Sequence, residues 1–311
     1  MVFKDKIDEL FTTQLRDWEI TRVNYAQLEK VRTRKIDFGN FHVLIQFNPE
    51  RIKSSSAKVD AKSIGERPCF LCEKNRPPEQ RGVSFGNMFT ALVNPFPIFK
   101  QHLTIPSQQH VDQRIGNNFE SMLSLAEELP SFTVFYNGPQ CGASAPDHFH
   151  FQAGNTGFMP IENDFTGGRH AKLVSGRDGM EIWLWTGYKR GIVTLAGNEK
   201  DTLAGYFGKL FEKLSDLQPG RPEPMVNILA GHSASGWIIH IIPRKKHRPS
   251  QFFNEGESQI LVSPAAVDLG GVIITPREED FNRITKGDVE DIFSQVCFDE
   301  DELSCIINAS L

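Results

Sequence analysis

The chain has little cysteine, no long apolar run and no surplus of positive charge, and each shortage removes a class of protein. Five cysteines in 311 residues are too few and too scattered for a disulfide framework, which points to a reducing compartment. No uninterrupted apolar stretch approaches the length of a bilayer span, and Met1-Val2-Phe3-Lys4-Asp5-Lys6 lacks the basic region and apolar core of a secretory leader. A cytoplasmic protein with no membrane partner is expected. The net charge of −5 provides no general attraction for nucleic acid, so a polyanionic ligand has to be small and met by a local basic site. What is present, 39% hydrophobic and 23% charged residues, suits a globular chain of one large domain or two packed ones.

Apolar residues at helical intervals (Leu10, Phe11, Leu15, Trp18) predict a helix within residues 8–32, and residues 41–47 read as a strand ending at Asn48-Pro49. The stretch 51–62, with Ser54-Ser55-Ser56 and basic residues that include Arg51 and Lys53, reads as a mobile loop able to close over a phosphate. After the Cys69-x-x-Cys72 pair, strands are predicted over 89–93 and 102–105, a helix over 119–129, and strands over 132–136 and 148–152. The same order recurs, with strands over 181–185 and 191–195, an amphipathic helix carrying Leu203, Phe207, Leu210, Phe211 and Leu214, and strands over 225–229 and 237–242. Two related α+β halves are therefore expected, residues 1–165 and 166–311. With His240 superposed on His150, Ile238 and Ile242 fall on His148 and Gln152, so the second half keeps the strand and loses its polar face.

Chemistry concentrates in Asp147-His148-Phe149-His150-Phe151-Gln152. Alternation along a strand puts His148, His150 and Gln152 on one face and Phe149 and Phe151 in the core. The preceding loop holds Asn137, Gly138, Gly142, Ala143 and Ser144, small residues whose backbone N–H groups can approach phosphate oxygens closely. A polar strand face and a glycine turn are each common in proteins without such a function.

The run Gly142-Ala143-Ser144-Ala145-Pro146-Asp147-His148-Phe149-His150-Phe151-Gln152 resembles the active-site signature of the histidine-triad superfamily. The resemblance is to the branch in which glutamine replaces the third histidine: galactose-1-phosphate uridylyltransferase, dinucleoside tetraphosphate phosphorylase and GDP-L-galactose phosphorylase. Further similar segments are Gln46-Phe47-Asn48-Pro49-Glu50-Arg51, Asn94-Pro95-Phe96-Pro97, His102-Leu103-Thr104-Ile105-Pro106, Asp112-Gln113-Arg114-Ile115 and Gly270-Gly271-Val272-Ile273-Ile274-Thr275-Pro276-Arg277.

The resemblance implies an α+β fold of two tandem histidine-triad-like halves with antiparallel sheets, the second degenerate. It implies a nucleotidyltransferase or phosphorylase with His150 as nucleophile, forming a nucleotidyl-histidine. A neutral imidazole is nucleophilic near pH 7 and forms a labile phosphoramidate. Gln152 is implied to hydrogen-bond the phosphoryl oxygens, and amides of Gly142, Ala143 and Ser144 to stabilise the oxyanion. Asn94, Asn137, Arg51 and Lys53 are further substrate-binding candidates, Asn94 being equally readable as an Asn-Pro turn. The substrates implied are a nucleotide sugar or dinucleoside polyphosphate, with phosphate or a sugar phosphate as acceptor. Asp147 departs from the proline that usually precedes the first histidine in the transferases and dinucleoside phosphorylases; GDP-hexose phosphorylases also lack that proline, and they are closest in local wording. The alternatives are a hydrolase of the same superfamily, against which Gln152 argues, and, from a different class, a catalytically silent zinc-containing nucleotide-binding protein.

Cys69, Cys72, His110 and His148 supply the ligand types and CxxC spacing of a tetrahedral zinc site, with His102 competing for the third position and two partly buried thiols as the plain alternative. A closed four-ligand site implies a structural zinc that orients His148. Arg244-Lys245-Lys246-His247-Arg248 reads as a solvated turn or a distant phosphate contact, and Arg169 and His170 as loop residues within reach of the site. Nothing in the sequence sets the oligomeric state.

Overall fold

Alternating apolar residues and two amphipathic helices create surfaces that have to be covered, and the chain covers them by joining its two halves. The computed structural model describes residues 2–52, 61–165 and 169–311. Lys53 and the serine run 54–56 lie outside the described residues.

The expected N-terminal helix is two helices, Phe3–Asp17 and Glu19–Gln27, divided at Trp18, whose extended backbone (φ −115°, ψ 106°) ends the first. The strands are β1 (Arg32–Asp37), β2 (His42–Phe47), β3 (Gly82–Phe85), β4 (Phe89–Val93), β5 (His102–Pro106), β6 (Phe132–Asn137), β7 (His150–Asn155), β8 (Ala171–Arg177), β9 (Met180–Trp185), β10 (Val193–Gly197), β11 (Val226–Ser233), β12 (Gly236–Pro243) and β13 (Val272–Thr275). Four of them, β1, β3, β8 and β13, have no counterpart in the sequence reading. β1 reads Arg32-Thr33-Arg34-Lys35-Ile36-Asp37, with Ile36 its one buried residue, and exists because it pairs along its whole length with β2.

Among the described residues, ten strands form one sheet in the order β3-β4-β5-β7-β6-β11-β12-β10-β9-β8. Each half contributes five antiparallel strands, and the halves meet where β6 pairs with β11. The expected antiparallel halves are thus two parts of a continuous sheet.

Its register corrects the expected superposition. Thr104 pairs with Gln152, Gln152 with Phe135, Phe135 with Leu229, Leu229 with His240, and His240 with Thr194. This row reads alike from either end about the Phe135–Leu229 pair, so His240 is the counterpart of Gln152. Ile238, two residues earlier on the same face, takes the place of His150. His240 is sealed in, with Nδ1 2.7 Å from Thr194 Oγ1 and its ring against Phe165 and Trp185.

One face of the sheet is covered by helices Phe119–Glu128 and Lys200–Leu217, which bury their apolar stripes on Phe149, Phe151, Ile239 and Ile241. The Phe119 and Phe207 rings stack 3.8 Å apart. Each such fully buried side chain contributes about 1.5–3 kcal/mol. The opposite face, bearing Phe135, Leu229 and Ile242, shares a second core with Val43, Ile45 and Ile273 of the small sheet β1-β2-β13 and with Phe293 of helix Lys286–Val296. β13 runs parallel to β2. The C-terminal segment thereby roofs the face that carries His150 and Gln152. Among the described residues, no helix is long and apolar enough to cross a membrane.

Candidate active site

β7 begins at His150 rather than at His148, because the partner strand runs out. The β6–β7 ladder extends from Phe132/Asn155 to Phe135/Gln152 and stops. Where Asn137 and His150 come opposite, the buried carboxamide of Gln113 lies between the strands. Its Nε2 donates to Asn137 O (3.0 Å) and His150 O (2.9 Å), and its Oε1 accepts from His150 N (2.7 Å). A side-chain amide replaces the missing backbone partner, so the buried polar groups of His150 are paired.

The His150 ring is 3% exposed and its Nδ1 lies 2.8 Å from the His148 carbonyl oxygen. A carbonyl only accepts, so Nδ1 carries the proton and Nε2 keeps its lone pair. Burial holds the pKa of this imidazole down at about 4, against the opposing effect of the His148 carbonyl.

Two residues on, Gln152 meets His102. The Ile98 N–H donates to His102 Nδ1 (3.2 Å), which places the His102 proton on Nε2, 3.1 Å from Gln152 Oε1. His102 is fully buried and held neutral, its pKa lowered to about 3 by burial and by the charge of Arg51. Gln152 therefore accepts on its oxygen from His102 and has its NH2 group left to donate.

His150 and Gln152 line a cavity of about 670 Å³ together with Gly142, Ala143, Ser144, Asn137, Asn94 and Arg51, all of them expected there. Gly142 has φ +94°, and a Cβ on it would stand 2.6 Å from Ala265 Cβ, so this loop position requires glycine. Asn137 Oδ1 accepts from Asn227 Nδ2 and from Ala266 N, each at 2.8 Å, so its amide is oriented from two sides. The Asn94 side chain holds its own turn, accepting from Phe96 N (2.9 Å) and donating to Thr104 Oγ1 (2.9 Å). Arg51 donates to Phe96 O (2.9 Å); burial lowers its pKa to about 10, which leaves it cationic at neutral pH.

Arg67, Asp268, His247 and Arg248 also line the cavity. Local spacing carries no sign of Arg67 or Asp268, since each arrives from a segment remote in sequence. Gln113 belongs to a segment noted for its resemblance, but nothing in its neighbours indicates the part it plays. Arg244 is the opposite case. It is fully buried away from the cavity, with donors directed at Asn227 Oδ1 and the carbonyls of Val296, Pro264, Lys246 and His247. It is neither solvated nor a phosphate contact. Arg169 is exposed, and His170 is buried against Phe41 and Tyr188; neither is among the cavity-lining residues.

His148 does not share the face of His150 and Gln152. It lies in the turn before β7, outside the cavity lining, and its Nδ1 is 3.3 Å from Cys69 Sγ and 3.6 Å from Cys72 Sγ. His110 Nδ1 is 3.2 Å from Cys72 Sγ. The donor atoms of Cys69, Cys72, His110 and His148 all lie within 4.8 Å of one another, an arrangement able to hold a metal ion. His148 Nε2 donates to Ser107 O (2.8 Å), so its Nδ1 is left unprotonated toward the cluster, as a ligand must be. Burial works against a Cys69 thiolate, but the adjoining His148 imidazole and the backbone amides of Leu71 and Cys72 outweigh it and bring the thiol down to about 6. His102, engaged with Gln152, is not part of the cluster. Asp147 joins the cluster to the cavity: Oδ1 is 3.3 Å from Arg67 Nη2, and Oδ2 is 3.7 Å from His110 Nε2.

Two family models divide the chain between them. Residues 10–155 match a domain of unknown function (DUF4922), and residues 168–309 match the GDPGP1-like, C-terminal domain. No curated protein matches the chain. Among solved structures, yeast Ap4A phosphorylase Apa2 is similar with a TM-score of 0.60 at 17% identity, over 91% of this chain and 97% of that one. Apa2 in complex with Ap4A gives a TM-score of 0.58 at 16% identity, over 90% and 96% of the two chains. The resemblance to the GDP-hexose phosphorylase and Ap4A phosphorylase branch thus goes beyond the motif: the GDPGP1-like match covers residues 168–309, and the likeness of fold to Apa2 spans both halves.

Proposed function

We propose that this chain is a phosphorylase or transferase that passes a nucleotidyl group through His150, acting on a nucleotide sugar or a dinucleoside polyphosphate. The observation that carries the reading is the hydrogen bond from His150 Nδ1 to its neighbour's carbonyl, which leaves Nε2 as the nucleophilic nitrogen of a ring bordering a large cavity. The structurally similar Ap4A phosphorylase Apa2 has been solved in complex with Ap4A, a dinucleoside polyphosphate, and with AMP, which supports a nucleotide ligand.

In the first step the Nε2 lone pair attacks the phosphorus next to the nucleoside. The Nε2–P bond forms, and the P–O bond to the departing phosphate-bearing group breaks, its electron pair leaving on oxygen. The ring proton stays on Nδ1, where the His148 carbonyl stabilises the positive charge that develops. In the second step an oxygen of phosphate or a sugar phosphate attacks the same phosphorus, and the P–N pair returns to Nε2. Gln152 donates from its oriented NH2 to the phosphoryl oxygens throughout, and the amides of the Gly142–Ser144 loop offer further donors. Arg51, Arg67 and Arg248 supply positive charge along the cavity wall.

Cys69, Cys72, His110 and His148 fit a structural zinc: two thiols and two imidazoles, one with its tautomer preset by Ser107. When bound, zinc would crosslink the CxxC turn to the turn before β7 and supply no part of the chemistry. His148 belongs to that set and not to the reacting group. The division of labour proposed is a catalytic half, residues 1–165, and a second half, residues 166–311, that lacks the nucleophile.

The test is to incubate the protein with labelled nucleotide sugars and dinucleoside polyphosphates and quench in base. An acid-labile adduct on His150, absent from His150→Asn and discharged by phosphate or a sugar phosphate, is expected. No adduct across both substrate sets, or discharge by water at the same rate with and without phosphate, rejects the reading.

A further inference from the structure

The nucleophile candidate sits in the first half, but the support of its backbone reaches into the second. Gln113 fills the gap between β6 and β7 and holds both the N–H and the C=O of His150. Two residues downstream, the buried Ile115 donates its N–H to Glu223 Oε2 at 2.8 Å. The other oxygen of the same carboxyl, Oε1, accepts from the hydroxyl of Tyr136 at 2.6 Å. Tyr136 lies on β6 beside Asn137, on the far side of the gap that Gln113 fills. Glu223, three residues before the start of β11, therefore bridges the two walls of that gap. Its carboxyl is itself buried, 7% exposed, in a crevice so close that a Cβ on Gly138 would stand 3.3 Å from Oε1 and 3.0 Å from Val226 O.

We infer that Glu223 is a positioning residue for His150: by tying Ile115 to Tyr136 it sets the spacing at which Gln113 clamps the start of β7. The catalytic importance of this clamp rests on the reading of His150 as nucleophile, whereas the clamp itself does not. Without the carboxyl, the Ile115 N–H and the Tyr136 O–H lose their buried acceptor, and the 113–115 segment is free to shift. His150 then loses a fixed place relative to Gln152, and misplacement of a reacting group by about 1 Å lowers rates by about 100-fold. Nucleotide binding depends on the cavity wall, of which Glu223 is not part.

Burial raises the Glu223 pKa to about 7, with the Tyr136 and Ile115 hydrogen bonds opposing that rise. A neutral amide is accordingly a fair substitute. In Glu223→Gln the amide oxygen can accept from Ile115 N–H while its NH2 donates to a reoriented Tyr136 hydroxyl.

The test compares wild type, Glu223→Ala and Glu223→Gln by amide hydrogen exchange at His150 and by the rate of adduct formation, with nucleotide Kd as control. Glu223→Ala is expected to lose exchange protection at the His150 N–H while Ala153, within the β7 ladder, keeps it. Its adduct rate should fall by about tenfold or more with Kd within about twofold, and Glu223→Gln should recover both readouts. If Glu223→Ala does not fold, Glu223→Met, which keeps the volume and lacks the acceptors, is read in the same way. Unchanged protection at His150, or Glu223→Gln no better than the apolar variant, overturns the proposal. The exchange readout stands even if no nucleotide forms an adduct, so failure of the positioning role and failure of the enzymatic reading are distinguishable.

Discussion

His102 and Gln152 are locked in one hydrogen-bonding sense: Ile98 N–H occupies His102 Nδ1, so Nε2 donates to Gln152 Oε1 at 3.1 Å and the glutamine keeps its NH2 for a ligand. Two variants test this. Gln152→Glu replaces a donor with a charged acceptor and should lower kcat/KM by about 100–1000-fold. His102→Phe removes the anchor and lets the amide flip, with an expected loss of about tenfold, equivalent to one ordinary hydrogen bond. Equal activity of His102→Phe and wild type would show that the amide needs no anchor.

The metal set is tested by composition and melting. Purified protein is expected to carry one zinc, lost on Cys69→Ser or Cys72→Ser and retained on His102→Phe, since His102 is outside the cluster. Loss of the crosslink should lower Tm by about 5–10 °C. Zinc retention in both cysteine variants would reject the assignment.

Arg244 is expected to behave as a core residue. Arg244→Met leaves Asn227 Oδ1 and the carbonyls of Pro264, Lys246 and His247 without the Arg244 donor, and stranding buried acceptors costs about 1–3 kcal/mol for each one left unpaired. A lower denaturant midpoint is the expected result. A normal midpoint combined with a raised KM for the phosphate-bearing acceptor would restore the contact role.

A pH dependence follows from His240. Burial lowers its pKa to about 3, so in the folded protein it is neutral at pH 5, whereas the unfolded chain binds a proton there. A histidine depressed by folding costs stability below its unfolded pKa and nothing above it. Buried Glu223 and Asp268, raised to about 7 and about 6, act in the opposite sense as pH rises, so the comparison must be with a single variant. Between pH 7.5 and pH 5, wild type should lose about 2 kcal/mol more than His240→Gln, read from urea midpoints. Parallel curves would mean that His240 stays solvated.

Much of the architecture is legible in the sequence because it is local. Short runs of β-branched and aromatic residues located β4, β5, β6, β9 and β12, and the 3.6-residue stripes of Leu203, Phe207 and Leu210 located the long helix. β1 was invisible for a physical reason: a basic, exposed strand with one buried residue has no pattern of its own and takes its conformation from β2. The placement of His240 was misjudged because an apolar strand aligns equally well at shifts of two residues, and only cross-strand pairing selects one.

The sequence by itself determined which residues are candidates for the chemistry. His150, Gln152, the Gly142–Ser144 loop and the CxxC pair with His110 and His148 are all found in the cavity or in the metal-type cluster. The tertiary structure alone decided how they are divided and held. Alternation predicted one polar face for His148, His150 and Gln152, yet β7 starts only at His150, because β6 has by then parted from it and Gln113 has taken the vacated place. His148 is released to the sulfur cluster, and the backbone of His150 is held by Gln113, 37 residues away in the chain. Side-chain periodicity is a property of neighbours along the backbone, whereas the pairing of buried polar groups is settled by whichever partner the fold brings within 3 Å, and for His150 that partner was Gln113.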